Sequence, residues 1–236
     1  MKNLYLTLLF ILLLQPLVSQ AQYVPFPEHN AHWTIESRAE SDMWALNEWQ
    51  FDIVGDTLVN SITYHKLEKI EGFLAGFPTY SRGYYGCFRN SVIDKKVYFM
   101  PSGSTNEQLL YDFNLTVGDT IYGHLQQKTV AWGGAGNICI IDSIDSVLVG
   151  GVYRKRWNYH SEPHGSGFDF RNSEKPCYIE GIGNKFGLFN GLTNSINYSI
   201  NLVCHAANDT TLYGSTPCDV ITAIEDVVST KPTIHP

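Results

Sequence analysis

The chain has 236 residues, 44% apolar and 17% charged, with 16 basic against 23 acidic side chains and a formal net charge of −7. That length and composition fit one sizeable globular domain or two small ones. The acidic balance, with Lys and Arg scattered, excludes the basic footprint of a nucleic-acid or anionic-membrane binder.

The N-terminus reads Met1-Lys2-Asn3, then an apolar run over residues 4–14, then Val18-Ser19-Gln20-Ala21-Gln22. A charged start, a short apolar core and small residues before a cut site make a secretory signal peptide, with cleavage expected after Ala21. The run is too short to cross a bilayer, which needs roughly 20 residues. No Cys follows the cut site, so no lipid anchor is expected on the first mature residue. The expected division is a signal peptide at 1–21, one all-β domain at 22–219, and a linker at 220–236.

From residue 22 the chain is rich in Val, Ile, Thr, Tyr, Phe and Trp in short runs broken by Gly, Asn, Asp and Ser. Strands are predicted over 32–37, 49–54, 62–70, 96–100, 108–113, 120–123, 138–144, 146–149, 152–159, 178–182 and 200–204. No window beyond the signal holds a sustained helical repeat. The expected fold is all-β, an antiparallel hairpin meander forming a sandwich or partly open barrel.

The stretch from Asp56 to Lys66 lines up without gaps against that from Asp145 to Lys155. Both read as a strand, a tight turn and a returning strand. Gly150-Gly151 supplies the positive φ that such a turn needs, and Asn60-Ser61 is a weaker version of it. Val117-Gly118-Asp119-Thr120-Ile121 repeats only the entry, also seen at Val54-Gly55-Asp56-Thr57-Leu58.

Five Cys are present: Cys87, Cys139, Cys177, Cys204 and Cys218. In an exported chain pairing is favoured. Cys204 and Cys218 flank a polar, turn-rich loop and are the expected disulfide, worth roughly 3 kcal/mol. The other three cannot all pair. No Cys-x-x-Cys occurs, so neither a zinc ribbon nor a thioredoxin-like site is signalled.

The densest polar constellation is the segment 158–170, with His160, Glu162, His164 and Asp169 within it. His160 and His164 are candidate metal ligands, with Glu162 or Asp169 as a further ligand or base. The competing reading is a solvated hairpin loop, because the Pro- and Gly-rich stretch is no helix and is not His-Glu-x-x-His. Gly165-Ser166-Gly167 lacks the pattern of a nucleophile elbow. Gly133-Gly134-Ala135-Gly136 precedes no helix and is no phosphate cradle. No cofactor is called for. A second set is aromatic: Trp33, Trp44, Trp49, Tyr84 and Tyr85 are candidates for an exposed row of rings that stacks on sugar faces, against the alternative of core packing.

The tail offers a resemblance. Ile224-Glu225-Asp226 followed by Thr233-Ile234-His235-Pro236 resembles the lead-in to the C-terminal sorting domain of type IX secretion cargo of Bacteroidota, with nearly all of that sorting domain missing. The body resembles a recurrent group of exported proteins from the same bacteria. The matching segments include Leu109-Leu110-Tyr111-Asp112-Phe113, Ile144-Asp145-Ser146-Val147, Arg154-Lys155-Arg156-Trp157, Ile179-Glu180-Gly181-Ile182-Gly183 and Gly187-Leu188-Phe189. The resemblance implies the type IX secretion machinery as a partner, and it implies location and fold class rather than mechanism. It also implies O-glycosylation at Asp-Ser/Thr followed by an apolar residue, as at Asp56-Thr57, Asp119-Thr120, Asp142-Ser143 and Asp145-Ser146. Such pairs also simply start strands after turns.

The expected function is a secreted or cell-surface, non-enzymatic binding module with a glycan or matrix ligand. The rival is a secreted hydrolase using His160, Glu162, His164 and Asp169. A third reading is a structural surface-layer component with a long unpaired strand edge.

Overall fold

The structure, a computed structural model, describes residues 22–39, 46–73, 79–129, 138–162, 175–193, 198–214 and 218. In chain order the elements are β1 (Ala31–Ala39), β2 (Leu46–Val59), β3 (Ile62–Phe73), β4 (Thr79–Ser91), β5 (Lys96–Pro101), β6 (Gln108–Asp112), a short α1 (His124–Lys128), β7 (Ile138–Val149), β8 (Val152–Glu162), β9 (Cys177–Ile179), β10 (Gly183–Asn184), β11 (Tyr198–Ala207) and β12 (Thr210–Gly214). They form an eight-stranded sheet of order β12-β11-β1-β2-β3-β4-β5-β6 and a four-stranded sheet of order β10-β9-β8-β7. The ladders are antiparallel throughout, so the expected all-β meander is the observed fold.

Two hairpins carry the turns read from sequence. Asn60 and Ser61 take φ of 51° and 65°, and Gly150 and Gly151 take 57° and 78°. Positive φ at both central residues is the twist-matched two-residue turn. Val59 then pairs Ile62, and Val149 pairs Val152. The ungapped echo is one residue out of this register, because it sets Asn60 against Val149 while the turns themselves superpose Asn60 on Gly150. A one-residue slip exchanges the two faces of a strand, so Asp145 is not the structural counterpart of Asp56.

Irregularities interrupt the β1–β11, β2–β3, β3–β4, β5–β6 and β7–β8 ladders. Each bulge adds local twist, and the large sheet curls into a half-barrel. The hollow is filled by one core: Trp33, Phe51, Leu67, Phe88, Phe99 and Tyr111 from the large sheet meet Ile141, Trp157, Tyr159 and Tyr178 from the small one.

Residues 176–189 pass through this interior and are buried apart from a half-buried Lys185. Their backbone is satisfied by consecutive turns, Ile182 N–H to Ile179 O at 3.0 Å and Gly187 N–H to Asn184 O at 2.9 Å. Tyr111 supplies two more bonds. Its hydroxyl donates to Leu188 O at 2.7 Å and accepts from Asn184 N–H at 2.9 Å. Gly183 lies at φ 103°, and a Cβ there would come 2.8 Å from the Tyr111 hydroxyl. The segments Ile179–Gly183 and Gly187–Phe189 are thus a plug built into the core.

Several elements differ from the sequence reading. β4 was not predicted, because Gly83 and Gly86 look like turn residues; Gly86 in fact makes room for the Phe99 ring on β5. Residues 120–123 form no strand beyond a single bridge, Thr120 to Ile140. β7 is continuous through Asp145, and β8 runs on to Glu162. On the outer edge of β7, residues 118–121 bond the backbone of Cys139 and Ile141 at 2.8–2.9 Å. The Cys204–Cys218 disulfide is present, and Cys87, Cys139 and Cys177 are buried. Among the described residues no helix is long and apolar enough to cross a membrane.

Candidate functional site

Among the described residues the candidate rings do not form one exposed row. Trp33 is fully buried, donates Nε1–H to Ile182 O at 2.8 Å and stacks on His205. It belongs to the core because its β1 position points into the half-barrel with Ile35. Tyr85 packs against Phe51, Phe99 and Phe189. Trp49 is half-buried beneath the Lys69 ammonium, 5.4 Å from its ring centroid. Only Tyr84 is substantially exposed, at 48%. Trp44 lies outside the described residues.

His160 and Glu162 are strand residues of β8 rather than loop residues. His160 Nδ1 bonds the Asp142 carboxylate, and its Nε2 faces Glu162 Oε1 at 3.4 Å. Asp142 stands where the β7–β8 register shifts, between Ile141 and Ser143. The extra residue of that bulge aims its carboxylate at the imidazole. His164 and Asp169 lie outside the described residues. Of the hydroxyls in Asp-Ser/Thr pairs, Ser143 and Ser146 are exposed, while Thr57 and Thr120 are half-buried.

A groove of about 520 Å³ lies across β7, β8 and β9, with Tyr213 of β12 also lining it. Sheet alternation brings Ser143, Asp145, Arg156 and Asn158 to its floor. Arg156 holds Asp145 through two hydrogen bonds of 2.9 and 2.6 Å. That fork keeps the Asp145 carboxyl below the usual carboxylate range and raises the guanidinium. Asn158 Nδ2–H donates to Ser143 Oγ at 3.2 Å. Lys175 and Lys185 add two more cationic heads. Among the described lining residues there are three cations, Arg156, Lys175 and Lys185, and one carboxylate, Asp145, which Arg156 holds, in a chain of net charge −7. Among the described residues no histidine lines it. The sequence reading missed this groove because its residues come from five separate segments.

A second cluster lies where the N-terminal segment crosses the β2–β3 hairpin. His65 of β3 pairs directly across from Asp56 of β2, Nδ1 to Oδ1 at 2.8 Å. His65 Nε2 is 3.7 Å from Glu28 Oε1, and the His29 ring meets the His65 ring edge-on with centroids 5.7 Å apart. His29, Asp56 and His65 each offer a donor atom within 4.8 Å of the others. The signal that would have found it, a Glu-His pair far from an Asp and a His, is invisible without the chain path.

Comparison with family models, with curated proteins and with solved structures gives no match.

Proposed function

We propose that the chain is an exported, non-enzymatic binding module that takes a glycan in the groove over β7–β9, acidic sugars above neutral ones. The observation that carries this is the cationic share of the groove's described lining, where Arg156, Lys175 and Lys185 stand with one carboxylate, Asp145. Ser143 and Asn158 add directional polar contacts, and Tyr213 adds a ring wall. Shallow polar sites with an aromatic edge suit hydroxyl-rich ligands, since the ring covers the sugar's C–H face while donors meet its oxygens. Export rests on the signal-like N-terminus and on the resemblance to type IX cargo, whose secretion machinery is the partner it implies.

The test is calorimetric titration of residues 22–236 with uronic-acid or sulfated oligosaccharides and with neutral ones. Saturable binding to the acidic series, weakening with salt and lost in a Lys175→Glu/Lys185→Glu double variant, supports the reading. No binding, or binding indifferent to that variant, removes it.

One observation favours a hydrolase instead. His160 has a carboxylate on each ring nitrogen, Asp142 and Glu162, which is how an orienting acid and a base are set side by side. Turnover of a polysaccharide or peptide library that a His160→Ala variant abolishes would establish that reading in place of the first.

A further inference from the structure

We propose that Glu28, His29 and His65, with Asp56 behind them, form a divalent transition-metal site that fastens the segment 22–30 to the β2–β3 hairpin. The argument starts at His65. It is 6% exposed, and its ring lies against Phe88 with centroids 5.3 Å apart. Its Nδ1 is engaged by Asp56 at 2.8 Å. A carboxylate accepting Nδ1–H fixes the tautomer and leaves the Nε2 lone pair outward, the arrangement that orients metal-bound histidines.

That lone pair faces Glu28 Oε1 at 3.7 Å. The separation is too long for a hydrogen bond. Ligands about 2.0–2.1 Å from a tetrahedral centre stand roughly 3.3–3.4 Å apart, so a closure of a few tenths of an ångström would let these two donors share one ion. Glu28 is not there by chance. Asn90 Nδ2–H donates to its Oε1 at 3.1 Å and to Phe26 O at 3.0 Å, and Phe26 is buried among Trp33, Phe88, Tyr111 and Phe113. His29 is exposed, its ring lies edge-on to that of His65, and it offers a donor atom within 4.8 Å of donors on His65 and Asp56. Two imidazoles and a carboxylate form the donor set of zinc or a neighbouring borderline ion, with a fourth position left to water.

The ligands come from two parts of the chain, so the ion ties the N-terminal segment to the barrel. The experiment uses residues 22–236 stripped with a chelator and titrated with zinc chloride against a chromophoric competitor, with cobalt as a spectroscopic probe. The expected result is one equivalent bound, with the absorption of a low-coordinate nitrogen–oxygen site. His29→Ala and Glu28→Gln each weaken binding at least about tenfold, and Asp56→Asn weakens it about 10–100-fold as an orienting partner does. His29 and Glu28 are surface residues, so their variants keep the fold, which circular dichroism verifies. His160→Ala leaves zinc binding unchanged. No stoichiometric zinc uptake overturns the proposal, as does binding that survives His29→Ala but is lost in His160→Ala.

Discussion

The imidazole of His205 lies on the indole of Trp33, ring centroids 4.6 Å apart and planes 17° from parallel. Nδ1 bonds His32 O at 2.9 Å, while Nε2 is buried with no partner among the described residues. A proton there would be an unpaired charge in the core, and burial drives the His205 pKa down to about 3.

A pH-dependent stability follows. The unfolded chain takes up a proton on this histidine below about 6.5, and the folded chain refuses it until about 3. Stability is therefore whole above the unfolded value and is lost as pH falls between the two. At about pH 5 the loss from His205 is roughly 2 kcal/mol. Urea midpoints measured from pH 7 downward should fall along this slope. A His205→Phe variant keeps the stacked ring, is less stable at neutral pH, and shows a flatter slope. An unchanged slope in that variant would show that other groups carry the acid sensitivity.

The Cys204–Cys218 bridge closes a loop with a sequence separation of 14. Replacing both by Ser should cost about 3 kcal/mol, read as a lower thermal midpoint. The three other thiols are buried, and burial raises the pKa of Cys87 and pushes that of Cys139 up to about 12. A thiol reagent should therefore count none in the folded protein and three in denaturant. Fast labelling of any one under native conditions would contradict its placement.

Gly183→Ala should be severely destabilising. Its Cβ would displace the Tyr111 hydroxyl, which holds both Leu188 O and Asn184 N–H. Strain at a positive φ and the lost hydrogen bonds together cost about 3 kcal/mol. Gly151→Ala, with open space around its Cβ, should cost about 1 kcal/mol from φ alone. Chemical denaturation of both variants tests whether the plug, rather than the turn, is the sensitive place.

Asp145→Asn should tighten binding of an acidic oligosaccharide. It removes the carboxylate that occupies the Arg156 guanidinium, leaving the fork for a ligand. A gain of about 1 kcal/mol, some fivefold in affinity, is the expected size for one exposed charge-assisted contact. Weaker binding would mean that Asp145 positions Arg156 rather than competes for it.

The tight turns at Asn60-Ser61 and Gly150-Gly151 were legible because positive φ leaves its mark on two adjacent residues. The disulfide was legible because a short polar loop brackets it. Strand register was not, since the ungapped match of Asp56 with Asp145 is one residue away from the pairing the ladders adopt. The plug was illegible for a different reason. Glu180-Gly181-Ile182-Gly183 has the composition of a surface loop, and its interior position is made tolerable by partners distant in sequence, Trp33 on Ile182 O, Arg154 on Glu180 O and Lys155 O on Glu180 N–H. Both clusters of candidate ligands depend on approaches between distant segments. Asp142 reaches His160 across a bulge, and Glu28 reaches His65 because Phe26 is anchored in the core.

β1 stands third in the eight-stranded sheet, between β2 and β11, so that His32 and His205 touch across 173 residues of chain. Such a pairing gives the topology a high contact order, and loop closure of this length precedes its reward. A chain emerging N-terminus first holds its β1 margin open until almost everything else has been delivered. The β1–β11 seam of the half-barrel is therefore the one whose partner is delivered late.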